Sequence, residues 1–155
     1  MKIIISSTCA ILLLLSVNPV FAQPDKTTIA AKSLTCPFEH GSGREPKEAF
    51  SWNPPDNKVI MISQVDTIIR SCIKGRVVTV TPAEENHYEI VLNVGDYYFW
   101  YYALARPLVS KGQNVTPGQA IAVYTLGSEM EFRMFKFEDM IDPRELLECK
   151  VPKAD

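Results

Sequence analysis

With 155 residues and a mass of 17.4 kDa, the chain has room for one domain and not two. Its 16 basic and 18 acidic side chains leave a formal charge of −2, which excludes the basic footprint of a nucleic-acid binder or of a protein held to anionic membranes. A content of 7 Gly and 11 Pro excludes collagen-like and low-complexity classes.

The chain opens on Lys2, the apolar runs Ile3-Ile4-Ile5 and Ile11-Leu12-Leu13-Leu14-Leu15, the breaker Asn18-Pro19, and Val20-Phe21-Ala22. A basic start, a short apolar stretch and a small closing residue predict a secretory signal peptide over residues 1–22, cleaved after Ala22. Ser6-Ser7-Thr8 and Pro19 interrupt the apolar stretch, which falls short of the ~20 residues a spanning helix needs, so no transmembrane segment is expected after cleavage. The residue after Ala22 is Gln23 and not Cys, so no lipid-modified N-terminus is expected either. Removal of the leader leaves 133 residues with 15 basic and 18 acidic groups, a charge of −3. The expected location is the periplasm or the exterior, where disulfides persist. Cys36, Cys72 and Cys149 remain, an odd number that predicts one disulfide and one free thiol and leaves all pairings open.

Residues 23–55 read as a loop-rich N-terminal segment. Gln23–Leu34 is polar without a strong period and reads as a tether, and Cys36–Pro55 carries Pro37, Gly41, Gly43, Pro46, Pro54 and Pro55. From Asp56 to Cys149 short apolar runs recur: Val59–Ile62, Thr67–Ile73, Arg76–Thr81, Tyr88–Val94, Tyr97–Leu104, Ala120–Tyr124 and Met130–Phe137. Their richness in Val, Ile, Tyr and Phe between Gly, Pro, Asn and Asp predicts strands. Phe137–Met140 and Pro143–Leu147 are the two stretches with helical character, the second opened by Pro143 after an Asp142 cap. A tail of residues 150–155 closes the chain. The fold class this predicts is all-β, a mostly antiparallel β-sandwich or open barrel with a short C-terminal helical turn.

Two local patterns stand out. In Val109–Ala122, Gly112 and Gly118 sit six apart, each followed by Gln, with Val109, Val115 and Ile121 at the same interval. Glycines alternating with apolar anchors predict two tight bends between short strands. The second pattern is six aromatics in succession, Tyr97 to Tyr102. On a strand, Tyr98, Trp100 and Tyr102 face one way and Tyr97, Phe99 and Tyr101 the other. The two histidines, His40 and His87, lie in polar loops without a ligand-spaced partner.

Together these segments resemble the lysostaphin-type (LytM-like) zinc endopeptidases of bacterial cell walls, over roughly Asp56 to Leu147. Asp66–Ser71 and Gly75-Arg76-Val77 are similar to the family's second strand and following turn. Val109–Ile121 follows its "Val-x-x-Gly-Gln-x-Val-x-x-Gly-Gln-x-Ile" almost letter for letter. Tyr101-Tyr102-Ala103-Leu104 stands where the family has "Tyr-x-His-Leu", and Glu129–Met134 where it has "His-Leu-His-Phe-Glu-Val". The resemblance implies the family's duplicated hybrid-motif β fold. It also implies where zinc ligands and catalytic histidines would lie, at Asp56, Ile60, Ala103, Glu129 and Glu131.

None of those five residues is a histidine, and Ile60 and Ala103 offer no donor atom. A catalytic zinc site needs three protein ligands and an open position for water. The expectation is therefore a kept scaffold without the hydrolytic centre, with no catalytic residue, metal or cofactor. The resemblance then implies an exported domain that binds peptidoglycan or regulates an envelope protein such as a wall amidase. Its expected cleft comprises Asp56, Tyr98, Trp100, Tyr102, Glu129 and Glu131. Two alternatives are an active metallopeptidase with relocated ligands and a structural module of an envelope complex. Asp56, Glu129 and Glu131 together suit a hard cation, but the simpler reading is solvated carboxylates beside Arg133, which need no metal. Biotinyl-type carriers share the Gly-Gln pattern, but Leu126-Gly127-Ser128 lacks their tip lysine. The 36–55 loop is placed either on the barrel or over the cleft.

Overall fold

Alternation of apolar and polar residues along the long runs builds one large sheet. The computed structural model describes residues 28–30, 33–46, 56–149 and 151; the expected leader and residues 47–55 of the loop lie outside these. In chain order the strands are β1 (Ser42–Arg44), β2 (Val59–Ile62), β3 (Ile68–Arg70), β4 (Gly75–Pro82), β5 (Tyr88–Val94), β6 (Tyr97–Leu104), β7 (Arg106–Pro107), β8 (Asn114–Val115), β9 (Ala120–Val123), β10 (Met130–Lys136) and β11 (Asp139–Ile141). The main sheet runs β1-β2-β10-β6-β5-β4-β8, with β11 also pairing β10, and β3-β9-β7 form a second, small sheet. Every pairing between these strands is antiparallel. Both β2 and β11 pair with β10, at opposite ends of its length.

The core lies on the face built by Val59 and Met61 of β2, Met130, Phe132 and Met134 of β10, Phe99 and Tyr101 of β6, and Ile90 and Leu92 of β5. Ile69, Ile121 and Ala122 of the small sheet complete it. Phe132 packs against both Phe99 and Tyr101, with ring centroids 6.5 and 5.1 Å apart. Each such buried ring contributes about 1.5–3 kcal/mol by leaving water. The Tyr101 hydroxyl is fully buried and is satisfied locally. It accepts from the Cys72 amide at 2.9 Å and donates to Cys72 Sγ at 2.8 Å. Burial pushes the Cys72 thiol up to about 12 and also raises Tyr101, so neither ionises at neutral pH.

The six-residue repeat has a direct structural cause. Gly112 and Gly118 take φ of +90° and +77°, a region open to glycine at little cost. The following glutamines close identical turns, with Gln113 Oε1 accepting from the Ser110 amide and Gln119 Oε1 from the Thr116 amide. Val109, Val115 and Ile121 are the buried anchors.

Three expectations are corrected. Phe137–Met140 is a β-hairpin rather than helical: β11 folds back on β10, with Lys136 opposite Asp139 across Phe137 and Glu138. The run Thr67–Ile73 keeps only Ile68–Arg70 as strand, because Ser71 turns to pair with Gln119 and Gly118 beyond a bulge at Ile69/Arg70. Leu34, at the end of the polar stretch, is fully buried and bridges Leu147. Pro143–Leu147 forms the expected single turn, with the Arg144 amide donating to Asp142 Oδ1 at 3.0 Å. Of the open cysteine pairings the fold selects Cys36–Cys149, Cα atoms 5.3 Å apart, with Cys72 buried and free. Among the described residues no helix is long and apolar enough to cross a membrane.

Candidate functional site

The other face of the main sheet carries the residues singled out by the resemblance. Ile60 lies opposite Glu131, and Glu131 opposite Tyr102, so the three form one row across β2, β10 and β6. The next rows are Arg133, Trp100 and Val91, then Phe135, Tyr98 and Asn93. Residues directly opposite on antiparallel strands share a face.

At one end of this face lies a charge cluster. Lys58, two residues before Ile60, places Nζ 3.2 Å from Asp56 Oδ2 and 3.3 Å from Glu131 Oε1. Its side chain is only 7% exposed, so the ammonium is enclosed between the two carboxylates. The Lys58 amide also donates to Asp56 Oδ1 at 3.1 Å, which fixes the carboxylate at the strand entrance. Arg133 holds the other Glu131 oxygen at 2.6 Å. Glu129 stands apart from this pair and meets Arg44 of β1 in an ion pair. Arg44 belongs to the 36–55 loop, so the described part of that loop borders the cluster. Asp56 and Glu131 are thus brought together, whereas Glu129 is turned to a separate partner.

Ala103, where the resemblance places a histidine, takes φ of +65°. The register of β5 against β6 shifts there by one residue, a bulge that bends the strand end. Alanine in this region is strained, since the left-handed conformation costs about 1–2 kcal/mol for a residue with a Cβ.

Beyond the charge cluster runs the aromatic strip. Tyr97, Phe99 and Tyr101 are buried, as their alternation predicts, whereas Trp100 is 36% exposed and Tyr98 and Tyr102 are half-buried. Glu89, Trp100, Tyr102, Glu131 and Arg133 line a recess of about 130 Å³. A shallower groove of about 340 Å³ continues over Tyr98, Trp100, Phe135, Phe137 and Glu138.

Sequence reasoning left His40 without a partner; the fold supplies one. Asp66 Oδ2 accepts from the His40 amide at 2.9 Å and from Ser63 Oγ at 2.7 Å, and Oδ1 lies 3.3 Å from His40 Nδ1. Burial alone would raise the Asp66 carboxyl, but the hydrogen bonds from Ser63 and His40 outweigh it and hold the group below its ordinary value. Glu39 lies nearby, ion-paired with Arg70 at 2.8 Å. Glu39, His40 and Asp66 together offer three ligand atoms within 4.8 Å of one another. His87 follows a single 3₁₀ turn, Glu84–Asn86. Lys58 was equally missed. Its signal was present in the Asp-x-Lys alternation at the entrance of a strand, but only the fold brings Glu131 to it.

No family model matches the chain, and no curated protein matches it. Solved structures do. The chain is similar to Csd3 of Helicobacter pylori at a TM-score of 0.62 and 19% identity, over 76% of this chain and 33% of that one. It is similar to a chain of the SpoIIQ–SpoIIIAH pore-forming complex at 0.60 and 13%, over 76% and 92%. The catalytic domain of the M23 protein EnpA from Enterococcus faecalis aligns at 0.53 and 13%, over 67% and 88%. The chain thus has the β-rich fold of the M23, lysostaphin-type peptidases. It spans about a third of the Csd3 chain.

Proposed function

We propose that this chain is an exported, catalytically inactive peptidase-like domain that binds peptidoglycan or an envelope protein, such as a wall amidase, through the Tyr98/Trp100/Tyr102 face. The observation that carries the reading is Lys58, whose ammonium lies between Asp56 and Glu131 at two positions the resemblance assigns to metal or catalysis. These residues do not suit the zinc that the family implies. Ile60 and Ala103 carry no donor atom, and a dication between the carboxylates would have to expel a nearly dry ammonium already paired to both. Among the described residues no histidine lies in this cluster, so no imidazole is at hand there to take a proton from an attacking water.

What supports binding is the partly exposed aromatic strip continuous with the cluster, since rigid aromatic side chains give large contact area at low entropic cost. The fold shared with the catalytic domain of the M23 protein EnpA supplies the peptidase analogy, and the SpoIIQ–SpoIIIAH pore-forming complex supports a protein partner. A second reading, a metallopeptidase with relocated ligands, draws on Glu39, His40 and Asp66. Arg70 already neutralises Glu39, and Ser63 and His40 already occupy Asp66, which weighs against it.

Metal analysis and a peptidoglycan digestion assay separate the two. The expected result is no stoichiometric zinc, no released muropeptides and retention of the protein on insoluble peptidoglycan. Retention failing in a metal-free protein would move the weight to a protein partner. Stoichiometric zinc with released muropeptides would overturn the proposal.

A further inference from the structure

The groove at the far end of the aromatic strip combines features that the charge cluster does not explain. Tyr98, Trp100, Phe135, Phe137 and Glu138 line about 340 Å³. Trp100 and Phe135 have centroids 5.4 Å apart with planes inclined by 51°, so the rings form an open wedge rather than a closed stack. Phe137 is 63% exposed and takes φ of +54°. A bulky residue in that region is an outlier, and asparagine or glycine is its ordinary occupant. The backbone there is held in place, since the Phe137 amide donates to Asp96 O at 2.9 Å and β11 pairs back on β10. A strained hairpin tip thus holds an aromatic ring out toward solvent beside two others.

Glu138 is exposed and has no ion-pair partner among the described residues. Asp139, also exposed, stands opposite Lys136 across the hairpin and does not line the groove. Lys136 of the same hairpin lies over the Tyr97 ring, 5.6 Å from its centroid, on the core-side row and away from the groove. Arg133 is engaged by Glu131.

Resting on the reading of this face as a binding surface, we propose that the groove takes the ammonium-bearing side chain of a peptide, of the lysine type. Ring faces carry negative potential and attract a cation held over them. The Glu138 carboxylate adds a full charge and an acceptor for an N–H donor. An anion would meet the Glu138 carboxylate here, and a neutral chain would gain only ring contact. A quaternary ammonium would use the rings but has no N–H for Glu138, which selects the primary amine.

The test uses the purified chain in a Trp52→Phe background, so that a single indole N–H signal reports Trp100. Nα-acetyl-lysine methylamide is titrated by NMR against its norleucine analogue and against choline. The lysine derivative should shift the Trp100 signal saturably and bind about fivefold tighter than the norleucine analogue. Glu138→Gln should erase about that fivefold advantage while leaving norleucine binding unchanged. Equal binding of norleucine, tighter binding of choline, or no saturable shift would overturn the assignment. Sedimentation with peptidoglycan keeps the two readings distinct. Retention that the lysine derivative does not weaken overturns this inference alone. Lysine binding by a chain that is not retained supports this inference and removes the wall from the broader one.

Discussion

Replacing Lys58 with Met removes the cation between Asp56 and Glu131 at nearly constant side-chain volume. The ammonium lies 3.2 and 3.3 Å from its two partners, and its side chain is 7% exposed against 21% and 23% for theirs. At an effective dielectric of about 20, each contact is worth about 5 kcal/mol of Coulomb attraction, offset by several kcal/mol for desolvating the ammonium. Removing one member of such a cluster leaves two carboxylates facing each other, with Arg133 still holding one of them. Lys58→Met should therefore lower unfolding free energy by about 2–3 kcal/mol. Urea denaturation is the suitable assay, because guanidinium salts would screen the charges. The triple variant Asp56→Asn/Lys58→Met/Glu131→Gln should recover most of the loss, since no charge remains at the Lys58 position and Arg133 loses only a partly exposed pair. In Lys58→Met, added Mn²⁺ should raise the urea midpoint by occupying the vacated position between two oxygen donors, and in the wild type it should not. A loss below about 0.5 kcal/mol, or a wild-type midpoint that climbs with Mn²⁺, would refute the claim that this ammonium fills the cation position.

Asp66→Asn should cost about 1–2 kcal/mol at pH 7. Because the native carboxyl is held below its usual 3.8, its stabilisation is present above that pH and lost as pH falls through the folded value. The deficit should accordingly shrink in urea titrations below about pH 4; a deficit that grows with acidity would contradict the hydrogen-bond account. Ala103→Gly should raise stability by about 0.5–1 kcal/mol by relieving a positive φ, measured as a higher thermal midpoint, whereas Ala103→Val should lower it. Cys36→Ser/Cys149→Ser opens a loop closed across 113 residues of sequence. It should cost about 3–5 kcal/mol, read from paired denaturation curves, and an unchanged midpoint would show that the two chain ends stay docked without the bond.

The main strands were legible because their signals are local. Tyr88–Val94 and Tyr97–Leu104 alternate with period two and end at turn residues, and the observed strands share those bounds. The Gly-Gln repeat encodes its own turns through backbone conformation and a side chain reaching three residues back, with no need of distant contacts. The Phe137 hairpin escaped notice because its tip uses an aromatic residue where turn chemistry calls for glycine or asparagine. Strands β1, β7 and β8 are two or three residues long and carry no period to detect. They form only because longer neighbours present free backbone groups.

Residue types and spacing alone decided the all-β class, the two faces of the aromatic run and the absence of histidine at positions 56, 60, 103, 129 and 131. Each depends on a periodicity of two or on chemical identity, which do not change on folding. Tertiary structure alone decided that Lys58 meets Glu131, that Glu129 pairs instead with Arg44, that His40 meets Asp66, and which cysteines join. These contacts link positions 26 to 113 residues apart. Only strand register and loop path bring such distant residues within bonding range, and no local pattern carries that information.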